Sequence, residues 1–231
     1  MKDTIYMIKL VYFKMRALAE APQLLLEYSG LEYEYLMSWD HFDDVWSNVK
    51  PKIPFQQLPM MEAEDGTQIC QSIAILQYIE NRSGLSISDA IKAAEAMAIL
   101  QSSQELFAPL NPTVNFATGE DFVTKRDAMR EGLKSRFADL ARCLEKYDGK
   151  YFIDDTPRAA EFAAYHHFDL SRHLDPEILN SFPRLLQFIN DIESINSISS
   201  YLENRPKLVD VGIEPKLIID GKAQPTGVQK T

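Results

Sequence analysis

An α/β half followed by an all-α half is the fold class this 231-residue sequence predicts. Three observations predict it. Over roughly the first 80 residues, short apolar, β-branched and aromatic runs alternate with segments of helical periodicity. The texture changes at Asn81-Arg82-Ser83-Gly84, and from Ser88 to Asn204 nearly every segment repeats as a helix. Proline and glycine cluster between these later segments, where helix breakers belong.

Each element has its own signal. Ile5 to Phe13 is rich in β-branched, aromatic and apolar residues and reads as a buried strand. Ala17 to Tyr28 carries apolar residues at helical spacing, with Pro22 tolerable only near the first turn, and Ser29-Gly30 is a stop. Leu31 to Met37 is a second strand, and Trp39 to Lys52 is irregular or weakly helical. A short strand at Met60-Met61, a polar turn at Glu64-Asp65-Gly66 and a strand over Thr67 to Cys70 follow. Ser72 then opens an amphipathic run from Ile73 to Ile79. The order is β-α-β-α-β-β-α, an α/β unit with a mixed sheet. Helices are expected at Asp89–Leu110, Asp121–Tyr147, Ala159–Leu174, Pro183–Ile195 and Ile198–Asn204. These readings divide the chain into residues 1–83, 84–205 and a tail at 206–231. The tail has no sustained period and is expected to be extended or mobile, with Leu217-Ile218-Ile219 apolar enough to dock.

Composition narrows the function. A net charge of −10 and a pI near 4.9 argue against nucleic acid and anionic membranes as partners. Cys70 and Cys143 lie in different halves without metal or redox spacing, as expected in a reducing compartment. The amino-terminal run lacks a signal-peptide pattern, and no stretch reaches the ~18–20 apolar residues of a membrane span. The expectation is a cytoplasmic protein.

Pro54 to Glu80 carries the chemistry. Leu58 precedes Pro59, so it is held out of the helical region, and the bond between them is of the kind that is readily cis. A bend there would offer the Leu58 main-chain N–H and C=O to an extended ligand. Gln71-Ser72 adds a hydroxyl and the free N–H groups of a helix start, which together form an anion site. A backbone edge beside a carboxylate trap is a receptor for a small peptide.

These features, together with V-Y-F-K-M-R-A-L-A-E-A-P at the end of the first strand, resemble the cytosolic glutathione transferases. The spacing of Trp46, Lys50, Phe55, Gln57, Leu58, Pro59, Gln71 and Ser72 is most similar to the sigma class. The resemblance covers about residues 5–205 and implies a thioredoxin-like amino-terminal domain followed by a helical one. It also implies that Tyr12 is catalytic, its hydroxyl stabilising the thiolate of glutathione for attack on hydrophobic electrophiles, a detoxification chemistry without metal. Trp46, Lys50, Gln57, Leu58, Gln71 and Ser72 would bind glutathione. Phe13, Met15, Gln104 and Phe107 would line the electrophile pocket, and Phe55 would insert into the partner of a homodimer. Rival readings are a glutathione-dependent isomerase of the prostaglandin D synthase kind and a non-catalytic structural or binding protein, similar to the S-crystallins or a subunit of a larger assembly.

Three positions depart from that pattern. Ala17 and Leu18 stand where Gly and Arg are expected after the first strand, the Arg being a support for the catalytic Tyr. Ser103, with Glu105 nearby, stands where a partner subunit's acid usually meets the glutamyl amine. Arg158-Ala159-Ala160-Glu161 replaces a Ser/Thr-x-x-Asp capping box, which leaves Thr156-Pro157 as the expected cap. His166, His167 and His173 share one helix without an acidic or Cys partner to complete a metal set, and read as surface or core histidines.

Overall fold

A computed structural model describes residues 7–117 and 119–205, together with the short strand pair Ile218–Ile219 and Lys222–Ala223. The beginning of the expected first strand and the rest of the tail lie outside the described residues.

The amino-terminal half comprises β1 (Ile8–Tyr12), α1 (Glu20–Ser29), β2 (Tyr33–Met37), α2 (Ser38–Phe42), α3 (Trp46–Val49), β3 (Met60–Glu62), β4 (Gln68–Cys70) and α4 (Ser72–Arg82). Its sheet order is β2-β1-β3-β4, with β1 parallel to β2 and antiparallel to β3, and β3 antiparallel to β4. Strand β1 is central, so Ile8, Leu10, Val11 and Tyr12 are all buried, as expected of a strand covered on both faces. Helix α1 buries Leu24, Leu25 and Leu26 completely. It ends at Gly30, whose φ of 68° lets its N–H turn back to the Leu26 carbonyl at 3.1 Å. Pro22 is the third residue of α1, where the missing N–H has no helical acceptor to lose. The Glu64-Asp65-Gly66 turn closes with the Asp65 carboxylate accepting from Thr67 N–H at 2.9 Å. The expected β-α-β-α-β-β-α order is the observed one, the segment Trp39–Lys52 being resolved as two short helices and a 3₁₀ turn at Lys50–Lys52.

The second half is helical: α5 (Ala90–Gln104), α6 (Phe107–Phe116), α7 (Gly119–Leu144), α8 (Ala159–Leu174), α9 (Pro183–Glu193) and α10 (Asn196–Asn204). Helix α8 is buried along its whole run from Ala159 to Ser171 and packs against α1, α4, α5, α6 and α9. Around it Phe137, Phe152, Phe162, Phe168 and Phe188 form the aromatic core, with Phe137 and Phe188 edge-on to Phe168 at 5.6 and 6.0 Å. His166 and His167 are core residues of α8, and His173 is exposed. Among the described residues no cluster of three or more His, Cys, Asp or Glu could hold a metal, and no helix is long and apolar enough to cross a membrane.

Two expectations are corrected. The helix read as Asp89–Leu110 is two helices, α5 ending at Gln104 and α6 starting at Phe107. A single helix would drive the Pro109 ring into the Glu105 carbonyl and strip a hydrogen bond from its interior, whereas in the first turn of α6 Pro109 does neither. Thr156-Pro157 does not cap α8. Arg158 holds the cap position and helical structure begins at Ala159. Its amino terminus is satisfied by carboxylates: Glu161 accepts from Arg158 N–H at 2.8 Å and from Phe152 N–H at 3.1 Å, and Glu80 accepts from Ala159 N–H at 3.1 Å.

Candidate functional site

Tyr12 ends β1 with 5% of its surface exposed. Its hydroxyl oxygen accepts the main-chain N–H of Leu18, and burial pushes the phenol well above its ordinary pKa, so it keeps its proton. With the oxygen occupied by an N–H donor, the O–H proton is left for another acceptor. The Leu18 N–H belongs to the same peptide unit as the Ala17 carbonyl. That carbonyl accepts from Glu20 N–H at 3.1 Å and from the ring of His166 on α8. The loop between β1 and α1 is thus held from both its own helix and the helical half. Burial, together with the neighbouring His167, Arg205 and Arg16, lowers the His166 pKa well below its usual value and keeps the ring neutral.

From Tyr12 an aromatic wall runs outward. Its ring lies 5.4 Å from Phe13, which meets Trp46 edge-on at 5.3 Å. Phe13 is fixed by the Tyr35 hydroxyl, which donates to its carbonyl at 3.1 Å. Trp46 opens α3 and Lys50 follows one turn later, so the indole and the ammonium share a face of the chain. Lys50 lines an open cleft with Gln57, Phe55 and Gln56. Gln57 in turn accepts from the Gln71 side-chain amide at 3.2 Å. Leu58 is buried beside the cis Leu58–Pro59 peptide.

The helix start at Gln71-Ser72 differs from the sequence reading in one respect. Gln71 holds the cap position, with φ 76° and ψ 119°, and no side chain caps α4. Ser72 is the first helical residue. A non-glycine residue at such angles costs about 1–3 kcal/mol and is held there by its surroundings, a feature common at ligand-binding positions. The uncapped first-turn N–H groups give the start of α4 the positive potential of a helix amino terminus, with the Ser72 hydroxyl beside them.

The residues expected to line an electrophile pocket come from both halves of the chain. Phe13 and Met15 stay beside Tyr12, the Met15 N–H donating to the Phe13 carbonyl at 2.8 Å. Phe107 is half-buried with its ring 6.4 Å from His167. The Gln104 amide donates to Ser72 Oγ at 3.0 Å, which ties the end of α5 to the start of α4. Phe55 is 71% exposed at φ 60°.

The departures now have physical readings. The residue after Ala17 reaches Tyr12 through its main chain, so a Leu side chain leaves that bond intact. Ser103 is fully buried and donates to the Ile99 carbonyl at 2.8 Å, while Glu105 pairs with Arg136 on α7 at 2.5 Å. Neither bonds into the site. Sequence reasoning missed the Leu18 N–H, the His166 bond and the Gln57–Gln71 bond. Only the last had a signal, two amide side chains flanking a hairpin that brings them together.

Residues 8–81 match the family described as "Glutathione S-transferase, N-terminal domain", and residues 109–205 match "Glutathione S-transferase, C-terminal domain". The hematopoietic prostaglandin D synthase of Gallus gallus is 30% identical over 207 residues, covering 86% of this chain and 96% of that one. Glutathione S-transferase Mu 1 of Macaca fascicularis is 32% identical over 201 residues, covering 84% and 89%. The crystal structure of the glutathione S-transferase from Ascaris lumbricoides superimposes with a TM-score of 0.72 at 26% identity, covering 87% of this chain and 98% of that one.

Proposed function

The chain belongs to the cytosolic glutathione S-transferase family and is sigma-like, and from that premise we propose how it binds glutathione and activates its thiol. It is a glutathione transferase. The observation that carries the catalytic reading is the Tyr12 hydroxyl, protonated, accepting Leu18 N–H and free to donate. Donation to the sulfur favours the thiolate over the thiol. A free thiol titrates near pH ~8.5, and lowering that by about two units corresponds to about 2.7 kcal/mol of thiolate stabilisation. The thiolate then attacks an electrophilic carbon, forming the C–S bond as the leaving group departs with the displaced electron pair.

The rest of the site suits the tripeptide from end to end. Ser72 and the α4 amino terminus take the γ-glutamyl carboxylate, with Gln71 beside them. The main chain of Leu58 pairs with the cysteinyl residue as a short strand addition. Trp46 Nε1–H and Lys50 donate to the glycyl carboxylate, with Gln57 between the two ends. Phe13 and Met15 offer apolar surface for the electrophile beside Tyr12, and Phe107 is retained in that role.

The same reading places residues 1–83 as the glutathione-binding domain, 84–205 as the helical domain and 206–231 as a separate tail. It makes the protein a cytoplasmic, detoxifying homodimer. The exposed Phe55, standing out on a turn, supports the dimer as the side chain a partner would bury. The two free cysteines suit a reducing compartment.

Conjugation of glutathione to chlorodinitrobenzene, with retention on immobilised glutathione, tests the function. Wild type is expected to bind and turn over, and Tyr12→Phe to bind and turn over slowly. Equal near-zero rates in both proteins with no retention would overturn the reading. A solution mass of one chain at micromolar concentration would overturn the dimer.

A further inference from the structure

One peptide unit ties Tyr12 to the helical half. Its N–H, that of Leu18, donates to the Tyr12 hydroxyl oxygen. Its carbonyl, that of Ala17, accepts Glu20 N–H at 3.1 Å and the ring of His166. A carbonyl only accepts, so the bonded ring nitrogen carries the proton. That nitrogen is Nδ1, because His166 Nε2 is buried without a hydrogen-bond partner. Ala17 is fully buried and His166 is 2% exposed, so water does not compete for these bonds. His166 also stands in the middle of the buried run of α8, and a group anchored to such an element is held in place.

The bonds form a chain with one direction. His166 Nδ1–H meets Ala17 C=O, Leu18 N–H meets the Tyr12 oxygen, and the Tyr12 O–H is left for the sulfur. Hydrogen bonds in series polarise one another, by about 10–30% per bond in condensed phase. A peptide whose oxygen is hydrogen-bonded has the stronger N–H donor, and a phenol whose oxygen accepts that donor releases its own proton more readily to an acceptor. The Leu18 side chain brings neither charge nor donor, so this residue supports Tyr12 through its N–H alone. We propose that His166 is a positioning residue for Tyr12, fixing the Ala17–Leu18 peptide from the helical half and polarising its N–H, and so strengthening the bond from the Tyr12 hydroxyl to the ligand's thiolate. The inference rests on the Tyr12 assignment above. Burial disfavours a second proton on the ring, as do His167 at 5.0 Å, Arg205 and Arg16. The ring therefore stays neutral over the range of the test, and a moved midpoint belongs to the thiol.

The test reads the pH midpoint at which bound glutathione becomes a thiolate, from its ultraviolet absorbance, on the full chain. His166→Phe keeps a ring and loses the donor. It should raise the midpoint by about 0.3–1 pH unit, with glutathione affinity changed by no more than about twofold. His166→Asn returns an N–H near the place of Nδ1 and should bring the midpoint back to that of wild type. In a Tyr12→Phe background the chain to the sulfur is already cut, so His166→Phe should add no further shift. An unmoved midpoint in His166→Phe, an equal shift in both backgrounds, or no recovery in His166→Asn would overturn the proposal. Nitrogen-15 spectra of wild type should show the His166 proton on Nδ1, and the Nε2–H tautomer would overturn it without any substitution. If Tyr12→Phe alone leaves the midpoint unmoved, the Tyr12 assignment fails, and this inference with it.

Discussion

Glu80, in the last turn of α4, accepts a hydrogen bond from Ala159 N–H at the first turn of α8, 3.1 Å away and 79 residues later. Glu161 accepts from the preceding Arg158 N–H, so two consecutive donors at one helix start are met by two carboxylates, one from each half of the molecule. Arg158 completes the junction, its Nε donating to the Leu85 carbonyl and its two Nη atoms to Asp154 at 2.9 Å each. Side-chain acceptors at a helix amino terminus satisfy N–H groups that have no partner within the helix.

Glu80→Ala removes a cap and leaves the N–H of the buried Ala159 unpaired. A stability loss of about 1–2 kcal/mol is expected. Urea unfolding of the variant should show a lower midpoint with an unchanged slope. A midpoint within error of wild type would show that water replaces the carboxylate at no cost.

Burial pushes the Glu161 carboxyl from 4.5 up to about 7. The native chain therefore holds a proton that the unfolded chain releases. Stability from this group is greatest below about pH 4.5 and is lost as pH rises toward 7. The two states differ by about 2.5 units, so the change is of the order of 3 kcal/mol. Glu161→Gln abolishes the titration. Wild type should lose ground against Glu161→Gln between pH 5 and 7 in paired unfolding measurements, and a difference constant with pH would refute the assignment.

The Tyr12 phenol is pushed up by burial and stays protonated through pH 9, so the rate–pH profile should report the bound thiol alone. A single rise is expected, with its midpoint below the ~8.5 of a free thiol and no fall toward pH 9. Tyr12→Phe should move that midpoint back toward about 8.5 and lower the rate at pH 7 by about ten- to a hundredfold, or about 1.4–2.7 kcal/mol. An unmoved midpoint would mean the hydroxyl does not touch the sulfur.

Gln71 sits at φ 76°, where glycine is at ease and glutamine is not. Gln71→Gly should stabilise the fold or leave it unchanged, the relieved strain of about 1–3 kcal/mol offsetting the flexibility glycine adds. Glutathione affinity should fall as the side chain is lost. Reduced stability together with full affinity would show that the strained backbone serves only the fold.

Much of the architecture was legible because its signals are local. Apolar alternation marks β1, helical spacing and Gly30 bound α1, and Pro109 contains the reason α5 stops, although periodicity alone ran one helix across it. The site was legible to the extent that it follows the chain: Leu58-Pro59 and Gln71-Ser72 announce a bend and a helix start by residue type. What was misread depends on partners distant in sequence. The α8 cap was sought in Thr156-Pro157 because a cap is usually a neighbour, whereas one of its acceptors comes from Glu80. The bond from Gln104 to Ser72 had no signal either, because nothing in the chain around Gln104 points to Ser72.

By itself the sequence determined the two halves, their element order and the residue types that a thiol-bearing anionic peptide requires. Local propensity and proline or glycine chemistry act over a few residues and can be read there. Only the tertiary structure decided which groups those residues meet. It left Leu18 contributing its N–H in place of a guanidinium, and it turned Ser103 and Glu105 to other partners. It also brought the Gln104 amide against the Ser72 hydroxyl. Hydrogen bonds of about 3 Å between elements are set by how the helices pack, and packing is a property of the whole core.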